Sequence, residues 1–205
     1  MNKKGRNTRV KIMDAAQELI LDHGFGGTTI DSVIDLAGVS KGAFFHYFSS
    51  KAELGLELVQ RYAENDAAHL EQTLVKAEKL SEDPLQQMLI SVKLFEQEVE
   101  SLEEPFSGCL FASYLQQSEL FDQNILDIIR DSLLLWRKRV LEKLKKINQK
   151  YPPGRDVDLE SLADMLIVIF EGSFVLSQSL KKNKVIAQQL SNYHTYLQLL
   201  FNSSQ

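Results

Sequence analysis

The sequence has few of the features that mark membrane, secreted or metal-binding proteins. It contains a single cysteine, Cys109, so no intramolecular disulfide can form. No stretch stays apolar for the roughly 20 residues of a membrane-spanning helix, and the basic N-terminus leads into an amphipathic segment rather than the apolar run of a signal peptide. The four histidines lack the spacing to acidic residues or Cys109 that a metal site needs. These absences predict a cytoplasmic protein without a metal or cofactor.

Catalytic signatures are equally scarce. No pair of carboxylates, nucleophile with a nearby base, or phosphate-binding loop stands out along the chain. The composition, with 44% hydrophobic and 25% charged residues among 205, is that of an ordinary globular protein. This length allows one large domain, or a small domain joined to a larger one. We therefore expect a folded protein that is not an enzyme.

The net charge of -5 is unevenly distributed. Residues 1–61 carry 8 basic and 7 acidic side chains, whereas the rest of the chain carries 15 basic and 21 acidic ones. The basic residues nearest the N-terminus, with no acid among them, are Lys3, Lys4, Arg6, Arg9 and Lys11. A basic arm followed by an acidic body suits a DNA-binding protein whose bulk stands away from the duplex, although the charge taken alone favours a merely solvated N-terminus.

The hydrophobic periodicity predicts an all-α protein of about nine helices. Glycines and prolines fall between the periodic segments, where they end or begin helices. Thr28 is predicted to cap the second helix with Asp31 at the capping-box position, and Ser50 to Glu53 form a second predicted capping box. Asp83 with Pro84 predicts the start of the fifth helix. The predicted helices are separated by short connections, without internal repeats or a low-complexity linker.

Residues 28–51 have the spacing of a helix-turn-helix, in which Gly38 and Val39 join two short helices. Ser40 is predicted to cap the second of these helices. The first turn of that helix is Lys41-Gly42-Ala43, and its two small residues let the backbone approach base edges. An unbroken aromatic run follows from Phe44 to Phe48. One side of a helix cannot bury the whole run, so we expect Phe44 and Phe48 to face inward and the three residues between them to face outward.

These residues closely resemble the DNA-binding domain of the TetR (TetR/AcrR) family of transcription regulators. The resemblance covers roughly residues 8–58 and includes the aromatic run and Lys51. It implies a helix-turn-helix domain over 1–55, a larger effector-binding and dimerisation domain over 56–205, and the following DNA contacts: Thr28, Thr29, Ser40, Lys41, Gly42, Ala43, Phe45, His46, Tyr47 and Lys51. Phe45 stands where the family commonly has tyrosine. Because phenylalanine lacks the hydroxyl, the expected contact there is with a thymine methyl group or with neighbouring side chains, not with a phosphate.

The second half of the chain offers weaker signals. Gly108-Cys109-Leu110 resembles an element that opens the sixth helix in one branch of the family, which includes repressors responding to electrophiles. Cys109 is thus either a reactive thiol near a helix N-terminus or a buried structural residue. The resemblance implies an effector pocket lined by the following residues: Phe95, Phe106, Cys109, Phe111, Tyr114, Trp136, Phe170 and Phe174. The scarcity of charge on these helices favours an apolar or aromatic effector.

Apolar residues are in surplus on the last two helices, over about 158–201. A four-helix bundle formed with a second copy buries this surplus, which predicts a homodimer and a palindromic operator on double-stranded DNA. The leading hypothesis is a repressor that a small apolar, aromatic or electrophilic effector releases from DNA. An architectural DNA-binding protein without an effector is the second hypothesis, and an all-α enzyme is the third.

Overall fold

The protein is described here by a computed structural model. It describes residues 3–101, 108–182 and 184–201, with side chains from residue 8 onward. The ordered elements in these ranges are nine α-helices and one short 3₁₀-helix, and they include no β-strand. The all-α prediction is confirmed. Phe106, one of the predicted pocket residues, lies outside the described residues.

The helices are bounded as follows: α1 Lys3–Gly27, α2 Ile30–Ala37, α3 Lys41–Tyr47, α4 Lys51–Leu80, α5 Pro84–Glu100, α6 Leu110–Leu115, α7 Gln123–Lys150, α8 Leu159–Leu180 and α9 Lys184–Phe201, with the 3₁₀-helix at Ser118–Leu120. No described helix is both long enough and apolar enough to cross a membrane.

The chain divides into two compact units. The N-terminal unit comprises the described residues among 1–64 and 107–130, and the C-terminal unit comprises those among 65–106 and 131–205. The units therefore differ from the predicted division after residue 55, because α6 packs with the N-terminal helices. The Ser113 hydroxyl donates to the Ile20 carbonyl at 3.1 Å, and the Tyr114 hydroxyl donates to the Gly55 carbonyl at 3.1 Å.

The N-terminal unit is built around residues of α1, α3 and α4 and an aromatic group from α6. Phe25 packs on Tyr114 and Phe121 with ring centroids 5.6 and 4.7 Å away, and these two rings stack at 4.4 Å. Gly24 has a left-handed φ of 73°, and the residues after it are tied to the segment between α6 and the 3₁₀-helix, because the Gly26 N–H donates to the Gln117 side chain at 2.8 Å. The buried core of this unit includes Ile12, Met13, Ala16, Ile20, Val33, Phe44, Phe48, Leu54 and Leu58.

The C-terminal unit has a continuous hydrophobic core formed by α4, α5, α7, α8 and α9. As the periodicity predicts, α7 buries one stripe and α9 another. Their core residues are Trp136, Val140, Leu144 and Ile147 from α7, and Ile186, Leu190, Tyr193 and Leu197 from α9. Charged residues tie the helices together at the edges of this core. Arg137 of α7, for example, holds Asp164 of α8 through two hydrogen bonds of 2.6 and 2.7 Å.

One predicted cap is shifted by one residue, and one predicted capping box differs in its second hydrogen bond. The cap of α2 is Thr29, not Thr28: its hydroxyl accepts from the Ser32 N–H at 3.0 Å, and Ser32 completes the capping box. At the start of α4 the Ser50 hydroxyl accepts from the Glu53 N–H as predicted, but the Glu53 carboxylate accepts from the N–H of Ser49 rather than that of Ser50. The shift at α2 leaves the Thr28 hydroxyl to donate to the Gly24 carbonyl.

The predicted cap of α5 is confirmed. The Asp83 carboxylate accepts from the Gln86 N–H at 2.9 Å, and it also accepts from Lys150 at 2.7 Å and from the Tyr151 hydroxyl at 2.6 Å. Burial alone would raise the pKa of Asp83, but these hydrogen bonds outweigh it and lower the pKa to about 2. One carboxylate therefore joins the start of α5 to the end of α7.

Asp83→Asn is expected to lower the free energy of unfolding by about 1 kcal/mol at pH 7, because the amide keeps the cap but loses the charge that faces Lys150. A depressed pKa stabilises the fold above the unfolded value of 3.8, and this contribution is lost as pH falls towards 2. Urea unfolding between pH 7 and pH 3 should show the difference between the proteins shrinking in acid. Asp156→Asn, at an exposed position, is the control. A difference that stays constant with pH would contradict this account.

Candidate nucleic-acid interface

Residues 28–51 form two short helices joined by a tight turn. Gly38 ends α2 in the left-handed region, with φ 63° and ψ 41°, and its N–H donates to the carbonyls of Asp35 and Ile34. Ser40 then caps α3, where its hydroxyl accepts from the Ala43 N–H at 3.1 Å. The predicted cap of α3 is thus confirmed, and the segment has the geometry of a helix-turn-helix.

The aromatic run of α3 divides between core and surface as expected. Phe44 and Phe48 are fully buried and pack on each other with centroids 5.9 Å apart. Phe45 remains 45% exposed, His46 is exposed, and Tyr47 is half-buried with its ring 4.8 Å from that of His46. The two buried rings fix the roll of α3, so the other three residues are held on its outer side.

A positive side chain near the N-terminus packs at the end of α3. The guanidinium of Arg9 lies 5.5 Å from the centroid of the Phe48 ring and forms an ion pair with Glu57 of α4. Arg9 is one of the basic residues that the charge count assigned to an N-terminal arm. Its contacts instead give it a role in packing α1, α3 and α4 together.

The first turn of α3 is open to solvent. The Lys41 side chain is 68% exposed, and its ammonium lies 3.3 Å from the carboxylate of Asp31 on α2. Among the described residues, no atom apart from the chain neighbours of Gly42 and the backbone of its own helix lies within 4 Å of the position that a Cβ would take there. An exposed ion pair of this kind is worth less than about 1 kcal/mol, so Lys41 can exchange Asp31 for another partner at little cost.

Thr28 and Lys51 are less open than the other predicted contacts. Thr28 is only 3% exposed, and its hydroxyl donates to the Gly24 carbonyl at 2.9 Å. Its side chain stabilises the turn between α1 and α2 and is not presented to solvent. The Lys51 ammonium lies 4.4 Å from the centroid of the Phe25 ring, and partial burial lowers the pKa of Lys51. To contact a phosphate, the Lys51 ammonium must therefore either leave the Phe25 ring or bind the phosphate while it stays against that ring.

Four of the predicted pocket residues form one aromatic cluster in the C-terminal unit. The Phe95 ring lies 5.6 Å from both Trp136 and Phe170, and Phe170 lies 5.9 Å from Trp136 and 6.2 Å from Phe174. These residues, Phe95, Trp136, Phe170 and Phe174, are called the aromatic cluster below. Asp66, which the sequence analysis missed, contacts it: the indole N–H of Trp136 donates to the Asp66 carboxylate at 2.6 Å.

The remaining described pocket candidates belong to the N-terminal unit. Cys109 is only 8% exposed, at the position before α6, and the Tyr62 hydroxyl lies 3.9 Å from its sulfur. Phe111 packs edge-on against Tyr62 at 4.8 Å, and Tyr114 is buried beside Phe25. The predicted set is thus divided between the two units. Within the described ranges there is no group of three His, Cys, Asp or Glu residues arranged to hold a metal ion.

Comparisons with known proteins agree with this geometry. Residues 12–58 match the family described as bacterial regulatory proteins, tetR family. The chain is 24% identical to the transcriptional regulator AcuR of Cereibacter sphaeroides over 165 residues, which are 80% of this chain and 73% of the relative. It is 35% identical to the HTH-type transcriptional repressor NemR of Escherichia coli over 63 residues, which span 30% of this chain and only 32% of NemR.

The fold extends the similarity to the whole chain. A solved TetR-family regulator from Agrobacterium tumefaciens superposes with a TM-score of 0.76 at 16% identity, covering 96% of this chain and 99% of that one. A match at this identity shows the fold alone, whereas the N-terminal match covers the helix-turn-helix itself. The family match over residues 12–58 and the helix-turn-helix with its exposed α3 together identify the N-terminal part of this chain as the DNA-binding domain of the tetR family of bacterial regulatory proteins.

Proposed function

We propose that the protein is a homodimeric, cytoplasmic repressor, which binds a palindromic operator through two copies of α3 and is released by a small effector. The single observation that carries this proposal is the outward side of α3, where Lys41, Gly42 and His46 are exposed while Phe44 and Phe48 anchor the helix. The proposed contacts with DNA are Thr29, Ser40, Lys41, Gly42, Ala43, Phe45, His46, Tyr47 and Lys51.

The proposed contacts are of two kinds, with base edges and with phosphates. The first turn of α3, from Lys41 to Ala43, is proposed to read base edges, because its small residues bring the backbone close to the groove floor. Phe45 has no hydroxyl for a phosphate and suits a thymine methyl group. The imidazole of His46, the hydroxyl of Tyr47 and the ammonium of Lys51 suit phosphate oxygens, and such contacts fix the register without selecting sequence.

The C-terminal helices leave an apolar surface that a second copy can cover. Val168 is 65% exposed and Val175 is 62% exposed, and their spacing of seven positions, about two helical turns, places both on one side of α8. The exposed apolar residues of this surface, called the α8–α9 face below, are Met165, Val168, Val175, Leu176, Tyr196 and Leu199. Two copies of α8 and α9 around a two-fold axis form a four-helix bundle, which supports dimerisation through about 158–201.

The effector is proposed to bind at the aromatic cluster. An apolar or aromatic molecule suits its rings, and a change of affinity between the DNA-bound and released states sets the size of the response. The sequence also allowed an electrophile that reacts with Cys109. Burial of that thiol beside Tyr62 supports the structural alternative, because a reactive cysteine needs access to solvent. Repression is proposed by similarity to relatives named as repressors, such as NemR.

Lys41→Ala tests the proposal directly. The operator is first selected from DNA flanking the gene, and fluorescence anisotropy then measures affinity for the operator and for unrelated DNA. If Lys41 reads a base, the variant should lose about 1–3 kcal/mol of operator binding while binding to unrelated DNA changes little. Lys138→Ala, at an exposed position of α7, is the control and should bind like the natural protein.

Three other outcomes oppose the proposal in different ways. An equal loss on all sequences would make Lys41 a phosphate contact, as in the architectural alternative. If no small molecule reverses operator binding, the proposed release by an effector is wrong. Failure of the natural protein to shift DNA at low salt would exclude a DNA-binding role and revive the possibility of an all-α enzyme.

A further inference from the structure

We propose that Asp66 gives the effector site a preference for charge, so that the effector is a cationic amine carried on an aromatic or apolar body. This inference rests on the proposed effector function. It changes the ligand class expected from the sequence, which indicated an apolar or aromatic effector without a charged group.

Asp66 brings the formal negative charge of a carboxylate to the aromatic cluster. Its Oδ2 accepts the indole N–H of Trp136 at 2.6 Å, and Trp136 in turn packs on Phe95 and Phe170. Within residues 3–101, 108–182 and 184–201, this is the single hydrogen bond to the Asp66 carboxylate. Its second oxygen therefore has acceptor capacity left for a ligand.

The position is costly for a carboxylate that has only a structural role. Burial raises the pKa of Asp66, and the Trp136 hydrogen bond and the nearby His69 oppose that effect. An amide would satisfy the indole N–H equally well without this cost. A cationic ligand offsets the desolvation cost of the carboxylate, because it pairs with Asp66 and also lies against the faces of the surrounding rings. An anionic ligand is repelled by the same charge.

An open surface groove borders the cluster at His69. It has a volume of about 380 Å³ between α4 and α5 and is lined by His69, Gln72, Thr73, Lys76, Leu94, Gln97 and Glu98. His69 belongs to both features: it lines the groove, and its ring packs on Phe95 with centroids 5.5 Å apart. Its Nε2 lies 3.0 Å from the Glu98 carboxylate. His69 stands one helical turn from Asp66 on the same side of α4.

Trp136 makes the test site-specific, because it is the only tryptophan in the chain. The full-length protein is titrated, with indole fluorescence as the readout, with three probes of similar size: phenethylamine, 2-phenylethanol and phenylacetate. We expect phenethylamine to bind at least about tenfold more tightly than 2-phenylethanol, since it alone adds a charged hydrogen bond. Phenylacetate should bind most weakly of the three.

Asp66→Asn should remove this order. The amide can still accept the Trp136 N–H, so the fold and the affinity for 2-phenylethanol should be kept, while phenethylamine should fall to the affinity of the neutral probe. Asp66→Glu keeps the charge and should retain part of the preference. Asp156→Asn, which removes an exposed carboxylate, is the control and should leave all three affinities unchanged. Circular dichroism confirms that each variant is folded.

Several results would overturn the inference. One is equal or tighter binding of 2-phenylethanol or phenylacetate by the natural protein, and another is an order of affinities that Asp66→Asn leaves intact. A fluorescence signal that none of the probes changes would also overturn it. Operator binding is measured on the same samples. If the natural protein binds operator but shows no preference for the amine, this inference fails alone, whereas loss of all operator binding points to failure of the proposed function.

Discussion

Val168→Lys is expected to convert the dimer into a monomer and to lower operator affinity by at least about 100-fold, the gain that linking two binding sites commonly provides. Val168 is 65% exposed in one chain, so a lysine there leaves the folded protomer intact. In a two-fold dimer the same substitution places two unpaired ammonium groups in one apolar interface. Val175→Lys, at the other end of the same stripe of α8, should act in the same way.

Light scattering coupled to size exclusion measures the mass, and anisotropy measures operator binding on the same samples. Leu80→Lys is a matched control, because Leu80 is 62% exposed at the end of α4, outside the α8–α9 face. It should remain dimeric and bind operator normally. A Val168→Lys protein that stays dimeric would show that a different surface forms the dimer. A monomer with unchanged operator affinity would show that dimerisation does not contribute to binding.

Much of the fold could be predicted because its signals are local. The helix boundaries follow from caps such as Ser40 and Asp83 and from apolar stripes such as that of α7, and the structure confirms them. Two adjacent threonines show the limit of this reasoning. Thr28 and Thr29 are equally good caps by chemistry, and the choice depends on the Gly24 carbonyl, which accepts the Thr28 hydroxyl and leaves Thr29 to cap α2.

The two candidate sites differ in how far the sequence could define them. The proposed DNA contacts lie within a single stretch of 28–51, so spacing and the resemblance to a known family suffice to predict them. The pocket residues come from separate helices, and local patterns do not encode which helices meet. The sequence therefore grouped Tyr114 with Trp136, although Tyr114 packs in the N-terminal unit, and it missed Asp66, whose partner on α7 lies 70 positions away.

Gly42→Leu is expected to separate stability from DNA binding. The packing of the described residues does not require a glycine at this position, because only its chain neighbours and its own helix backbone lie near a Cβ placed there. Leucine has a higher helix propensity, so the free energy of unfolding should stay unchanged or rise by up to about 1 kcal/mol. A duplex that approaches the backbone at Gly42 leaves no room for the new side chain.

The expected loss of operator affinity for Gly42→Leu is about 100-fold, because moving α3 out of the groove removes base contacts worth about 1–3 kcal/mol each. Gly42→Ala should be as stable as Gly42→Leu and lose less affinity, since its side chain displaces the duplex less. Gly154→Leu is the control, as Gly154 lies in the loop after α7 with equally open surroundings. Urea unfolding and anisotropy measure the two quantities on each variant. If Gly42→Leu binds operator like the natural protein, the backbone of α3 does not approach the bases at Gly42, and recognition depends on longer side chains such as Lys41.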